Sequence, residues 1–111
     1  MKNWSGLGLI LLAAVATPLL FAGHGDAAAA KAAYAKRCGT CHGPAGEPKQ
    51  AIAKMLKVEM RHLGSKEVQA KSDADLRKVI VEGTGKMKPI KGLSDQEVAS
   101  LVAYVRTLAK K

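Results

Sequence analysis

The chain has 111 residues, which bounds it to one domain. Lys and Arg number 18 against 9 Asp and Glu, a formal net charge of +9, so any charged partner is an acidic protein, a membrane surface or nucleic acid. Only 4% of the residues are aromatic, and small chains with so thin a core usually need a staple such as a disulfide, a metal or a bound cofactor.

Met1-Lys2-Asn3 precede an apolar run from Gly6 to Ala22, which is followed by Gly23-His24-Gly25-Asp26 and four alanines. This is the pattern of a secretory signal peptide over residues 1–26, with cleavage expected between Ala22 and Ala30. The run is short for a spanning helix, and Pro18 breaks it near its end. An uncleaved membrane anchor is the alternative. No cysteine follows the run, so a lipid anchor at that point is excluded. Trp4 lies in this leader and leaves with it.

The remainder, residues 27–111, reads as a single helical domain. Ala27 to Lys36 is alanine-rich and predicts a helix running into the cysteines. "GPAGEPKQ" at 43–50 is a loop. From Ala51 to Leu63 a stripe of Ile52, Met55, Leu56 and Leu63, interrupted only by Glu59, predicts a second helix ended by Gly64. Met55 on that stripe reads as core filler. Ser72-Asp73-Ala74-Asp75 is an N-cap with an acidic first turn; Leu76, Val79 and Ile80 follow on one face and Gly83 stops the helix. "GTGKMKPIKG" at 83–92 is loop again. Ser94-Asp95-Gln96-Glu97 forms a capping box ahead of Val98, Leu101, Val102, Val105 and Leu108, and Lys110-Lys111 suit the negative end of that helix. "KVIVEG", the one strand-like run, sits on the helical stripe of the preceding segment. The class is therefore all-α.

Cys38 and Cys41 are the only cysteines, set as "CGTCH" with His42 adjoining. Three chemistries use such spacing. A disulfide here closes a tiny loop and removes little chain entropy, so it is no staple. A redox Cys-x-x-Cys belongs where a strand enters a helix, and no strand is predicted. A closed zinc site needs four ligands, and His24 and His62 do not form a second pair. Cys-x-x-Cys-His is also the attachment pattern of c-type haem. Two thiols three residues apart reach the two vinyl groups on one edge of the ring, and the following histidine is held beneath the iron. In bacteria that attachment occurs outside the cytoplasm, which agrees with the leader. A haem also supplies the apolar mass the core lacks.

The iron's second axial position has four candidates, Met55, Met60, His62 and Met87. Met87 fits best: it lies in a glycine-rich loop, flanked by Gly85 and Pro89, where a thioether approaches the iron without a helix backbone in the way. Met60 and His62 sit off the apolar face.

Three stretches, "CGTCHG" at 38–43, "GTGKMKP" at 83–89 and "LSDQEVASLVAYVRTL" at 93–108, resemble the small bacterial class I cytochromes c. The resemblance implies an all-α cytochrome c fold, about four helices around one covalent haem c, with the N- and C-terminal helices crossing. It implies Cys38 and Cys41 as thioether anchors, His42 as proximal and Met87 as distal iron ligand, and Tyr104 packed on the first helix. It also suggests the Pro44 carbonyl as acceptor for the proximal imidazole N–H. Two departures stand out: Lys88 separates the methionine from Pro89, and the domain has no tryptophan.

The expected function is periplasmic electron transfer between respiratory partners, one electron at a time, by a protein that is not an enzyme and has no catalytic residues or small-molecule substrate. The alternatives are a haem enzyme or gas sensor with an open distal site, or a haem subunit of a larger redox complex. Lys86, Lys88 and Lys91, with Lys49, Lys54 and Lys57 on the rim, are the expected docking charges for acidic redox partners. The charge also suits peripheral membrane association, while export separates the chain from nucleic acid.

Overall fold

The computed structural model describes residues 6, 8, 10–15 and 24–110, with side chains from Ala27 onward in the last stretch. The expected leader lies largely outside the described residues. Five helices follow in order: α1 (His24–Arg37), α2 (Gln50–Leu56), α3 (Lys66–Gln69), α4 (Asp73–Glu82) and α5 (Asp95–Thr107). No strand occurs among the described residues; two isolated bridges pair His42 with Pro48 and Thr84 with Met87. The protein is all-α, and none of these helices is long and apolar enough to cross a membrane.

The N- and C-terminal helices pack on each other, and α4 packs on α5. Their apolar stripes meet in one cluster of Tyr34, Val68, Leu76, Ile80, Val98, Leu101 and Val102. Tyr34, Val98 and Leu101 are almost wholly withdrawn from water, and no polar or charged residue is buried among those described. Helix starts follow their capping chemistry. The Ser72 hydroxyl accepts from the Asp75 amide at 3.0 Å and the Ser94 hydroxyl from the Glu97 amide at 3.1 Å. Each oxygen satisfies a donor that the first turn leaves unpaired.

Three expectations change. α1 begins at His24 rather than Ala27, inside the expected cleavage window. α2 ends at Leu56, not near Leu63. Lys57 turns left-handed (φ 55°), and the Leu63 amide bonds to the Gly46 carbonyl at 2.9 Å instead of to a helical turn. Leu63, the one apolar residue of the stripe past Leu56, is thus half-buried beside Gly46 and not on a helix face. Met55 is 69% exposed and fills no core. The short α3, capped by Ser65, is one turn long, too brief for periodicity to reveal.

Arg106 ties α5 to the link between α3 and α4. Its guanidinium donates to Asp73 Oδ1 at 2.8 and 3.0 Å, to the Gln69 carbonyl at 2.8 Å and to the Lys71 carbonyl at 2.5 Å. The Gln69 amide in turn donates to the carbonyls of Leu63 and Val105.

Candidate functional site

The cysteine motif continues α1 without a break. The Cys38 and Gly39 amides both donate to the Tyr34 carbonyl, at 2.8 and 3.0 Å. The Cys41 and His42 amides both donate to the Cys38 carbonyl, at 3.1 and 2.9 Å. The chain therefore winds one more tight turn past the helix, and Cys38, Cys41 and His42 share that turn. Glycine is required at 39, because a Cβ there would lie 2.1 Å from the Ala35 carbonyl oxygen.

The following loop folds back and braces the turn. The buried Tyr34 hydroxyl donates to the Gly43 carbonyl at 2.7 Å. The Gly43 amide donates to the Glu47 carbonyl at 2.7 Å, and the Lys49 amide to the Cys41 carbonyl at 3.0 Å. The Lys49 ammonium also donates to the Gly39 carbonyl. Lys49, expected on the docking rim, thus has a structural contact at the motif. Its partners were not legible in the sequence. Tyr34 carried a faint signal, lying one helical turn ahead of Cys38.

Both thiols are free and half-buried. Burial pushes the Cys38 thiol up, and the neighbouring Arg37 only partly opposes it. Burial pushes the His42 imidazole down, which keeps it neutral and its lone pair available. His42 Nδ1 is buried without a hydrogen-bond partner. The Pro44 carbonyl is therefore not its acceptor, contrary to the expectation. The ring instead borders a cavity of about 220 Å³ with Tyr34, Gly39, Pro44, Lys49 and Tyr104 among its lining residues. A buried imidazole nitrogen with no partner costs roughly 1–3 kcal/mol.

Met87 sits half-buried at the end of a four-residue turn. The Thr84 amide donates to the Met87 carbonyl at 2.9 Å and the Met87 amide returns the bond at 2.8 Å. Gly83 is left-handed (φ 76°), and a Cβ there would meet the Met87 carbonyl oxygen at 2.5 Å. Two tethers hold the exit: the Ile90 amide on the Ile80 carbonyl at 2.9 Å, and the Arg37 guanidinium on the Lys91 carbonyl at 2.7 Å. Met87 is not among the residues lining the cavity beside His42. The structure thus gathers Cys38, Cys41 and His42 into one turn and presents Met87 from a separate, braced loop. Of the other ligand candidates, His62 spends Nδ1 as acceptor for the Gly64 amide at 2.9 Å, and Met55 faces solvent.

The donor set fits a covalent haem. Two unpaired thiols and a neutral, partly unsatisfied imidazole share a turn, and a thioether lies in a loop tied to the same helix end. Residues 25–105 match the family described as cytochrome c oxidase, cbb3-type, subunit III, and the chain belongs to that family of cytochrome c domains. No curated protein and no solved structure gives a significant match. The match makes this a haem-c-binding electron-transfer protein, a carrier or redox subunit. Both the cysteine turn and the Met87 loop fall inside the matched residues.

Proposed function

We propose that the chain is a periplasmic electron carrier with one haem, attached through Cys38 and Cys41 and ligated by His42 and Met87. The observation that carries this reading is the turn at the end of α1, where both thiols are free and the half-buried His42 is neutral, with its Nδ1 buried and unpartnered. Bound haem supplies a one-electron iron couple. The chain's own residues do the rest. Cys38 and Cys41 fix the group to α1, and His42 offers a lone pair that burial keeps free of protons. Met87 would supply a second iron ligand that is soft and neutral, a ligand type that favours electron transfer over binding of small molecules. The exposed Lys86, Lys88 and Lys91 steer acidic partners toward that loop.

Optical spectra of the matured protein test the ligand set. The expected result is a low-spin spectrum with the weak far-red band of methionine-to-ferric charge transfer, lost in Met87→Ala. A high-spin wild type that takes up carbon monoxide readily would transfer the reading to a sensor or enzyme.

A second reading, a haem subunit of a larger redox complex, draws on the family description itself. Size measurement on the native protein released without detergent separates the two: a free monomer supports the carrier, and co-migration with membrane partners supports the subunit. Export is tested by the N-terminal sequence of the mature protein, which should begin between residues 23 and 31, after cleavage in the expected window.

A further inference from the structure

The loop that carries Met87 is held by contacts of two kinds. Within its own neighbourhood, the Ile90 amide bonds to the Ile80 carbonyl of α4, and the Gly83 amide bonds to the Val79 carbonyl at 2.9 Å. The contact from Arg37 is different. It spans 54 positions in sequence and comes from the last residue of α1, directly before Cys38. The guanidinium donates to the Lys91 carbonyl at 2.7 Å and passes over Gly92, within 3.5 Å of where a Cβ would stand. Gly92 is left-handed (φ 79°), so the chain turns at the point the guanidinium grips. The acceptor is a backbone carbonyl and not a carboxylate, so the contact is a directed, charge-assisted hydrogen bond.

We infer that Arg37 is a positioning residue for the distal ligand: it ties the exit of the Met87 loop to the helix end that bears the first haem anchor. The inference rests on Met87 being the distal ligand, as proposed above. A group fixed at Cys38 and a loop fixed to Arg37 share one frame, so the thioether is kept from swinging away. Without the tether the loop keeps its backbone hydrogen bonds to α4 and the packing of Ile90 on the core, and loses its hydrogen bond to the end of α1. It then opens more often, and an outside ligand competes more easily for the vacated position.

Imidazole titration of the ferric holoprotein reads that opening. Arg37→Gln should raise apparent imidazole affinity by roughly 5-fold, the scale of one typical intramolecular hydrogen bond. Arg37→Lys should fall between the two, because it keeps the charge and loses the planar reach. Arg77→Gln is the control: that guanidinium donates to Asp95 at the start of α5. Amide hydrogen exchange supplies the second readout. In Arg37→Gln the Met87 and Ile90 amides should exchange faster, while amides in the middle of α5 keep their wild-type rates. Unchanged imidazole affinity in Arg37→Gln overturns the inference even if the methionine band is normal. Full rescue by lysine overturns it too, since charge and not the hydrogen bond would then act. Uniformly faster exchange across the molecule assigns Arg37 to general stability and also overturns it. A wild type without the methionine band removes the ligand reading and this inference together.

Discussion

Tyr34 donates its hydroxyl to the Gly43 carbonyl at 2.7 Å, from a ring that is 2% exposed and lies 4.8 Å from the ring of Tyr104. One side chain thus belongs both to the α1–α5 crossing and to the loop that follows His42. Forming the crossing and shaping the cysteine turn are coupled through this residue. The aromatic pair adds about 0.5–1.5 kcal/mol beyond simple burial.

Tyr34→Phe keeps the packing and removes the hydrogen bond, leaving the Gly43 carbonyl to find another donor. The expected loss is about 0.5–1.5 kcal/mol at pH 7, read by urea denaturation of the holoprotein. The pH dependence has a definite sign. Burial first, then the fields of Cys38, Tyr104 and Glu47, push the Tyr34 phenol well above its ordinary value. A raised folded value gives stability that is whole below about pH 10 and shrinks as pH rises past it. Phenylalanine has no such proton, so the gap between wild type and variant should narrow above pH 10. A gap that stays constant to pH 11 would contradict the assigned burial.

Leu101 is 1% exposed and lies where α5 meets the rest of the cluster. Leu101→Ala should cost about 2–5 kcal/mol, because few neighbours in so small a core can move to fill the space. With total stabilities for domains of this kind of only about 5–15 kcal/mol, the variant should unfold at clearly lower denaturant concentration. Ser94→Ala, which removes the cap of the same helix, should cost about 0.5–2 kcal/mol in the same assay.

The parts of the fold that were legible in the sequence are those set by local chemistry. Ser72 and Ser94 announce their helices because a serine hydroxyl satisfies first-turn amides wherever it occurs, and Gly83 ends α4 as expected. The Cys38, Cys41 and His42 grouping was legible because its spacing alone forces one turn. The segment from Lys57 to Leu63 was not. Its apolar residues suit a helix or an irregular, half-buried stretch equally, and the Leu63–Gly46 hydrogen bond joins residues that only the folded chain brings together. The same holds at the site. The contacts of Arg37 with Lys91 and of Lys49 with Gly39 join residues whose proximity only the folded chain creates. The Pro44 acceptor is likewise a matter of the folded chain: His42 Nδ1 has no hydrogen-bond partner, although both residues line the same cavity.

Lys49 is exposed, yet it is not interchangeable with the lysines around it. Its amide holds the Cys41 carbonyl and its ammonium the Gly39 carbonyl, so it braces the cysteine turn from both ends. Lys49→Met leaves the backbone contact and removes the other. The expected loss is about 1 kcal/mol, small because solvent competes for the ammonium. Lys54→Met, on the exposed side of α2, should stay within about 0.5 kcal/mol of wild type. Equal effects in the two variants would reduce Lys49 to an ordinary surface charge.

The exposed lysines of the Met87 loop should act on encounter rather than on stability. Between about 0.01 M and 0.15 M salt the screening length falls from about 30 Å to about 8 Å. The rate of electron transfer to an acidic redox protein should then drop by about tenfold or more, as for other steered encounters. Replacing Lys86, Lys88 and Lys91 together by glutamine should flatten that dependence. The same change at Lys78, exposed on α4 and outside the loop, should leave it nearly as steep. The midpoint of urea unfolding should move little in either variant, because none of these four ammonium groups is buried. Stopped-flow mixing with an acidic partner across that salt range reads both slopes. A wild-type rate indifferent to salt would show that the +9 charge of the chain does no steering at this loop, and would leave apolar contact around Met87 to bring the partners together.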